Sequence, residues 1–177
     1  MDTAELEWIA WTNPITTAFG AEVAASDLSG RTVACRKHIL PESICIVGPL
    51  LQAGARVRMA PCNPDSTDDR TATHLASMGV EIRGHAGMSA VEYADALAWL
   101  ASEPADALCD MGGELIVATA AAGHRPDGAL EATTTGCTAW PASISHSRSW
   151  TGTGSRSRIS FTIGIMSAPR PGRRLRR

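Results

Sequence analysis

Between Ser29 and Gly136 short apolar runs alternate with stretches whose apolar residues recur at helical spacing. Thr32–Cys35 reads as a short β-strand, and Ile44, Val47, Leu50 and Leu51 then mark the buried side of a helix. In AGARVRMAP the glycine stops that helix, and Ala55–Ala60 forms a buried strand. Ser66-Thr67-Asp68-Asp69 offers side-chain oxygens to the free amides of a helix over Arg70–Met78, which Gly79 ends. Val80–Arg83 is a short strand, and Ser89 caps a helix over Ala90–Ala101 with Glu92 at the capping-box position. Ala107–Asp110 is a further strand, Gly112-Gly113 opens a helix through Ala122, and Ala129–Thr135 is a last strand. Short strands alternating with helices imply βαβ units with right-handed crossovers. The predicted fold is therefore α/β, a Rossmann-like parallel sheet with helices on both faces. Residues 1–28 read as one or two helices packed on that sheet, with Trp8, Trp11 and Ile15 as candidate buried residues.

Charge divides the chain where this pattern stops. The 177 residues carry a formal charge of −2. Residues 1–136 hold 8 basic and 18 acidic residues, net −10, whereas residues 137–177 hold 8 arginines, 8 serines and no acid, net +8. The second stretch has neither helical nor strand periodicity and reads as a disordered, low-complexity basic tail. Three segments follow: a helical segment 1–28, one α/β domain 29–136, and the tail 137–177. The start MDTAELEW lacks a basic n-region, and the longest apolar run, Leu115–Ala122, is interrupted by Thr119. The expectation is a cytoplasmic chain without a membrane partner. Five cysteines without a CxxC pair fit reduced thiols better than a disulfide framework or a metal site. Arg170–Arg177 has no interleaved aromatics, so nucleic acid is not the expected partner.

Ligands of doubly wound sheets bind beyond the carboxyl ends of the strands. His38, the segment Pro61–Asp69 and Asp110–Gly113 fall there, and Thr133–Gly136 adds a further polar segment. Each has an ordinary reading of its own. His38 is a strand-end histidine, Cys62 a small apolar residue, Glu42 a first-turn helix acid, and the threonines a solvated edge strand. His74, His85 and His124 share no ligand spacing and read as surface residues.

The runs GARVRMAPCNPDSTDD, DMGGEL and EATTTG, in this order and spacing, resemble the substrate-binding domain of the S-adenosylhomocysteine hydrolase (adenosylhomocysteinase) family. Its pattern reads roughly GA-V-CN--ST-D, DDGG and EETTTGV, and the resemblance covers about Ser29–Gly136. It implies NAD-dependent hydrolysis of adenosylhomocysteine to adenosine and homocysteine. NAD oxidises the ribose 3′-hydroxyl, a base removes the acidified C4′ proton, homocysteine leaves, water adds and the hydride returns. The resemblance gives His38 a place near the leaving group and Glu42 a contact with adenine. It puts Cys62, Asn63 and Ser66 beside the substrate, and Thr133, Thr134 and Thr135 against the cofactor.

The departures from the family pattern change the expectation. Met111 replaces the second aspartate of DDGG, Ala132 the second glutamate of EETTTG, and Leu40 a threonine that touches the nucleoside. Neither methionine nor alanine exchanges protons, and losing one positioned acid–base group costs about 10²–10⁴-fold. The string Gly152-Thr153-Gly154-Ser155-Arg156-Ser157 lacks the third glycine of a dinucleotide loop, and no βαβ unit follows it. The expected protein is thus a diverged, inactive relative without its NAD domain, binding adenosine or an adenosylhomocysteine-like molecule but not NAD. The alternative is a non-catalytic nucleoside-binding or regulatory module that pairs, as a homo- or hetero-oligomer, with a full-length paralogue. A one-base shift of frame at Gly136–Cys137 accounts for the tail, since back-translation with GC-rich third positions can restore TTTGVHRL there.

Overall fold

The computed structural model describes residues 1–132. Thr133, Thr134 and Thr135 and the tail 137–177 lie outside the described residues. Two helices, α1 (Thr3–Thr12) and α2 (Pro14–Ala24), precede the sheet. Then follow β1 (Thr32–Lys37), α3 (Ile44–Gln52), β2 (Arg56–Pro61), α4 (Asp69–Ser77) and β3 (Glu81–Ile82). The chain closes with α5 (Ala90–Ala101), β4 (Ala107–Met111), α6 (Glu114–Ala121) and β5 (Gly128–Ala132).

The five strands form one sheet in the order β3-β2-β1-β4-β5, and every pairing is parallel. Parallel neighbours need crossovers, and the amphipathic helices supply them. On one face Val47 of α3 and Ala72 and Leu75 of α4 pack on Val33, Cys35, Val57 and Met59. On the other, Ala96 and Leu100 of α5 and Leu115 and Ile116 of α6 pack on Ala34, Ala60 and Leu108. Successive connections run outward from β1 to β3, and the chain then returns to the opposite side of β1. The strand order reverses between β1 and β4. This is the Rossmann-like α/β arrangement the pattern predicts.

Local chemistry sets the helix starts. Ser89 and Glu92 close a reciprocal capping box on α5, with Ser89 N–H 2.8 Å from Glu92 Oε2. Of the four polar residues before α4, Asp68 is the cap: its carboxylate accepts from the Arg70 amide at 3.1 Å and from the Thr71 hydroxyl at 2.6 Å. At the Gly112-Gly113 turn both residues have positive φ, +98° and +79°, which lets β4 turn into α6 within two residues.

Two expectations change. β1 runs to Lys37 rather than Cys35, because Arg36 and Lys37 pair in register with Ala60 and Pro61 and both are buried. Charged residues looked like a strand end, but on a central strand they stay inside the sheet. The second change concerns residues 1–28. Trp8, Trp11 and Ile15 are 63%, 77% and 74% exposed, and the buried residues of these helices are Ile9 and Gly20. The helices do not lie on the sheet: α2 packs on α3, and α1 touches α2 and the turn Pro41–Ser43. Contact with α3 is close, since a Cβ on Gly20 would sit 2.8 Å from Pro49 Cγ. In LEWIAW apolar residues point all round the helix, so periodicity selects no single inner face.

Candidate functional site

At the carboxyl edge of the sheet, the loops after β1 and β2 are stitched together by backbone bonds. Cys62 N–H donates to Lys37 O at 3.1 Å and Asp68 N–H to Ile39 O at 2.9 Å, with Ile39 fully buried as the anchor. Ser43 Oγ donates to the His38 carbonyl at 2.8 Å, fixing the backbone of the histidine. The His38 ring, half-buried, has Nδ1 2.6 Å from Ser66 Oγ. Residues 28 apart in sequence thus meet at one mouth, because β1 and β2 are parallel neighbours ending at the same level.

The other residues singled out from sequence divide in two. Cys62 is half-buried beside this mouth; burial pushes its thiol up, opposed mainly by the Arg36 charge. Asn63 spends its side-chain oxygen on the Asp65 amide at 3.0 Å, and its carbonyl accepts from Ser66 Oγ and Thr67 Oγ1 at 3.2 and 3.0 Å. It shapes the loop. Glu42 is exposed in the turn Pro41–Ser43, and its side chain makes no hydrogen bond with a described residue. Met111, half-buried, ends β4, and the register sets Ala132 opposite it.

Sequence reasoning missed the network under this edge. Arg36, buried, places Nη1 2.7 Å from Met111 O and 3.4 Å from Asp110 Oδ1. Its Nη2 lies 2.6 Å from Glu114 Oε2 and also donates to the Tyr93 hydroxyl. That hydroxyl sits 3.0 Å from Glu114 Oε2 and 3.2 Å from Cys62 O, so α5 is tied to the loops after β2 and β4. Asp110 Oδ2 accepts from the Ile116 amide at 3.0 Å; burial pushes its carboxyl up, and that amide and Arg36 oppose the shift. A signal was present: an arginine and an aspartate each stand next to the last position of an apolar strand, and the register sets Arg36 opposite Asp110.

One step toward the interior, Cys35 and Cys109 face each other across β1 and β4. The Cys35 thiol supports Cys109 by a hydrogen bond and, helped by the Lys37 charge, brings it to about 7 despite burial. The same hydrogen bond and burial hold Cys35 up. Cys35, Cys45, Cys62 and Cys109 are all free thiols, and Cys137 lies outside the described residues. Among the described residues no helix is long and apolar enough to cross a membrane.

The carboxyl edge of the sheet at a strand-order reversal, here carrying a buried ion network and a histidine, is where doubly wound sheets place small-molecule ligands. The family model described as S-adenosyl-L-homocysteine hydrolase matches residues 15–140. An adenosylhomocysteinase of Aeropyrum pernix is 33% identical over 137 residues, covering 75% of this chain and 33% of that protein. One from Archaeoglobus fulgidus is 34% identical over 113 residues, covering 62% and 28%. An S-inosyl-L-homocysteine hydrolase of Methanopyrus kandleri is 32% identical over 113 residues, covering 62% and 27%. The chain spans about a third of the length of the curated relatives it matches. With the parallel sheet, the loop motifs in their order and a match across most of the described residues in agreement, the chain belongs to the S-adenosyl-L-homocysteine hydrolase family.

Proposed function

We propose that the crevice at the carboxyl ends of β1, β2 and β4 binds a purine nucleoside group of the S-nucleosyl-homocysteine type, and that this chain does not complete the hydrolase reaction by itself. The observation that supports this reading is the composition of the edge. His38, held by Ser66, remains as a proton-exchanging group, while β4 ends in Met111 with Ala132 beside it in register. The resemblance gives both of those positions to carboxylates. An elimination across the ribose needs a base at the C4′ proton and an acid at the leaving sulfur. One histidine serves one of these roles at a time. Adenosyl and inosyl hydrolases are similar to the chain to about the same degree, so the shared feature is the purine ribonucleoside rather than the purine substituent.

NAD does not fit the described residues. The turn Gly112-Gly113 leads into α6, but Glu114 places a carboxylate in its first turn and Asp110 already takes the Ile116 amide. A pyrophosphate needs free amides and no neighbouring anion there. The chain is therefore expected to hold no NAD of its own, and Thr133, Thr134 and Thr135 would serve a cofactor only alongside a longer partner. On this reading the functional unit is 29–136, preceded by the helical segment 1–28, in a cytoplasmic setting. The nucleotide sequence across codons 130–145 decides the origin of residues 137–177.

Calorimetric titration with adenosine is expected to give saturable heat, and adenosylhomocysteine is expected to release no homocysteine. Homocysteine release overturns the inactive reading, and absence of heat overturns the binding reading. A second reading, a non-catalytic module seated on a full-length paralogue, draws on Trp8, Trp11, Ile15 and Phe19, exposed on α1 and α2. Co-elution with the paralogue on size exclusion, lost in a Trp8→Ser/Trp11→Ser variant, tests it.

A further inference from the structure

Cys35 lies inside β1 and Cys109 inside β4, and the parallel register makes them direct partners. Residues paired in register present their side chains to the same face of a sheet, so both thiols stand on the α3/α4 side with Val33 and Met59. Neighbouring strands run about 4.8 Å apart, and disulfide-bonded cysteines have α-carbons about 4.4–6.8 Å apart. The backbone therefore holds these two residues at bonding separation, although β2, β3 and α5 intervene along the chain. Among the described residues no other two cysteines share a register position. Cys45 sits on α3 near Thr17 of α2, and Cys62 follows β2.

The two partners differ in access. Cys35 is fully buried and Cys109 half-buried. They also differ in readiness to react. The hydrogen bond from Cys35, with the Lys37 charge, brings the Cys109 thiol to about 7 against burial and Asp110, while Cys35 is held up. The thiolate is the nucleophile toward oxidants, and redox-sensing sites set a low, accessible thiol beside a second cysteine that resolves it.

We propose that Cys35 and Cys109 are a reversible dithiol–disulfide site whose oxidant is a hydroperoxide, with Cys109 attacking first and Cys35 resolving. The Cys109 thiolate attacks the peroxide oxygen, the O–O bond breaks, and the departing alkoxide takes up the proton that Cys109 released. Cys109 is left as a sulfenic acid. The Cys35 sulfur then attacks the Cys109 sulfur, the S–O bond breaks, and hydroxide leaves with the Cys35 proton as water. Two thiols and one hydroperoxide thus become one disulfide, one alcohol and one water, with two electrons passing from sulfur to the O–O bond. Disulfide β-carbons stand about 3.8 Å apart, closer than the strand spacing. Closing the bond therefore draws β4 toward β1, one step below the Arg36–Asp110 pair. A bond made against that pull is of the kind that small thiols reopen. The site is independent of what the carboxyl edge binds, and the proposed function stands or falls without it.

Peptide mapping of the full chain without reduction, after one equivalent of hydrogen peroxide, tests the site. The expected product has lost the mass of two hydrogens and joins the peptide carrying Cys35 to the one carrying Cys109. Cys45 and Cys62 are expected to stay open to iodoacetamide. Cys137 shares a tryptic peptide with Cys109, so the map is repeated on Cys137→Ser, where the link is expected to persist. In urea the preference for this pair is expected to vanish with the register that creates it. Excess reduced glutathione is expected to return both thiols. Cys35→Ala is expected to leave Cys109 as a sulfenic acid that dimedone traps, and the wild-type map needs no variant at all. A link through any other cysteine, oxidation of Cys109 alone in the wild type, or survival of both thiols overturns the proposal. A link that glutathione leaves closed overturns its reversibility.

Discussion

Arg36 and Lys37 are consecutive on the central strand, both buried, and on opposite faces of the sheet. Arg36 meets Asp110, Glu114, Tyr93 and the Met111 carbonyl, a set drawn from β4, α5 and α6. Lys37 meets no anion among the described residues. The two faces teach different things about a buried cation. On the α5/α6 face the charge was laid down with its counter-charges and holds the return of the chain to β4 in place. On the α3/α4 face the same sign of charge closes the strand in register with Pro61, and it helps to lower the Cys109 thiol.

Removing the cation of the ion network is the most direct way to break this contrast. Arg36→Met leaves Asp110 buried without its partner, and the expected loss is about 3–5 kcal/mol, read as a fall of the urea midpoint. A loss below about 1 kcal/mol would mean that the network is not structural.

Smaller changes sharpen the picture around these two. Asp68 caps α4 on the Lys37 side and binds the buried Thr71 hydroxyl, so Asp68→Ala is expected to cost about 1 kcal/mol. Equality of the Asp68→Ala and wild-type midpoints would remove the cap from the account. Acid titration adds a contrast between the two edges of the sheet. At the amino edge the Thr32 amide and Arg31 hold the Asp106 carboxyl below the usual range. The stability that Asp106 contributes is complete above its unfolded value of about 3.9 and is lost as pH falls through its lower folded value. Asp106→Asn is therefore expected to flatten the dependence of stability on pH below about 4. Asp110 behaves inversely: its raised carboxyl favours the folded state most when protonated, and that contribution declines as pH rises through the folded value. The smallest effect is expected at Trp11, exposed on α1, where Trp11→Ala should stay within about 0.5 kcal/mol of wild type.

Much of the fold was legible because its elements are short and locally signalled. Ser89 and Glu92 announced α5, the glycine before β2 marked the end of α3, and the turn at Gly112-Gly113 marked the start of α6. The N-terminal helices were legible as helices but not in their orientation. Apolar residues on every side of α1 left the choice of Ile9 over Trp8 and Trp11 to the contacts with α2 and the Pro41–Ser43 turn. In the candidate site the loop motifs located His38 and Ser66 but could not show that the two side chains touch. Arg36 and Tyr93 escaped notice because Arg36 draws its meaning from partners 57 to 78 residues away and Tyr93 from partners 21 to 57 away.

The sequence by itself determined the element order, the caps and stops, the parallel α/β class and the motifs that mark the family, all of which depend on neighbours a few residues apart. Tertiary structure alone decided which of two adjacent cations joins Asp110 and Glu114 in the buried ion network. That choice depends on strand parity and register: the backbone alternation sends Arg36 and Lys37 to opposite faces, and the β1–β4 register sets Asp110 against only one of them.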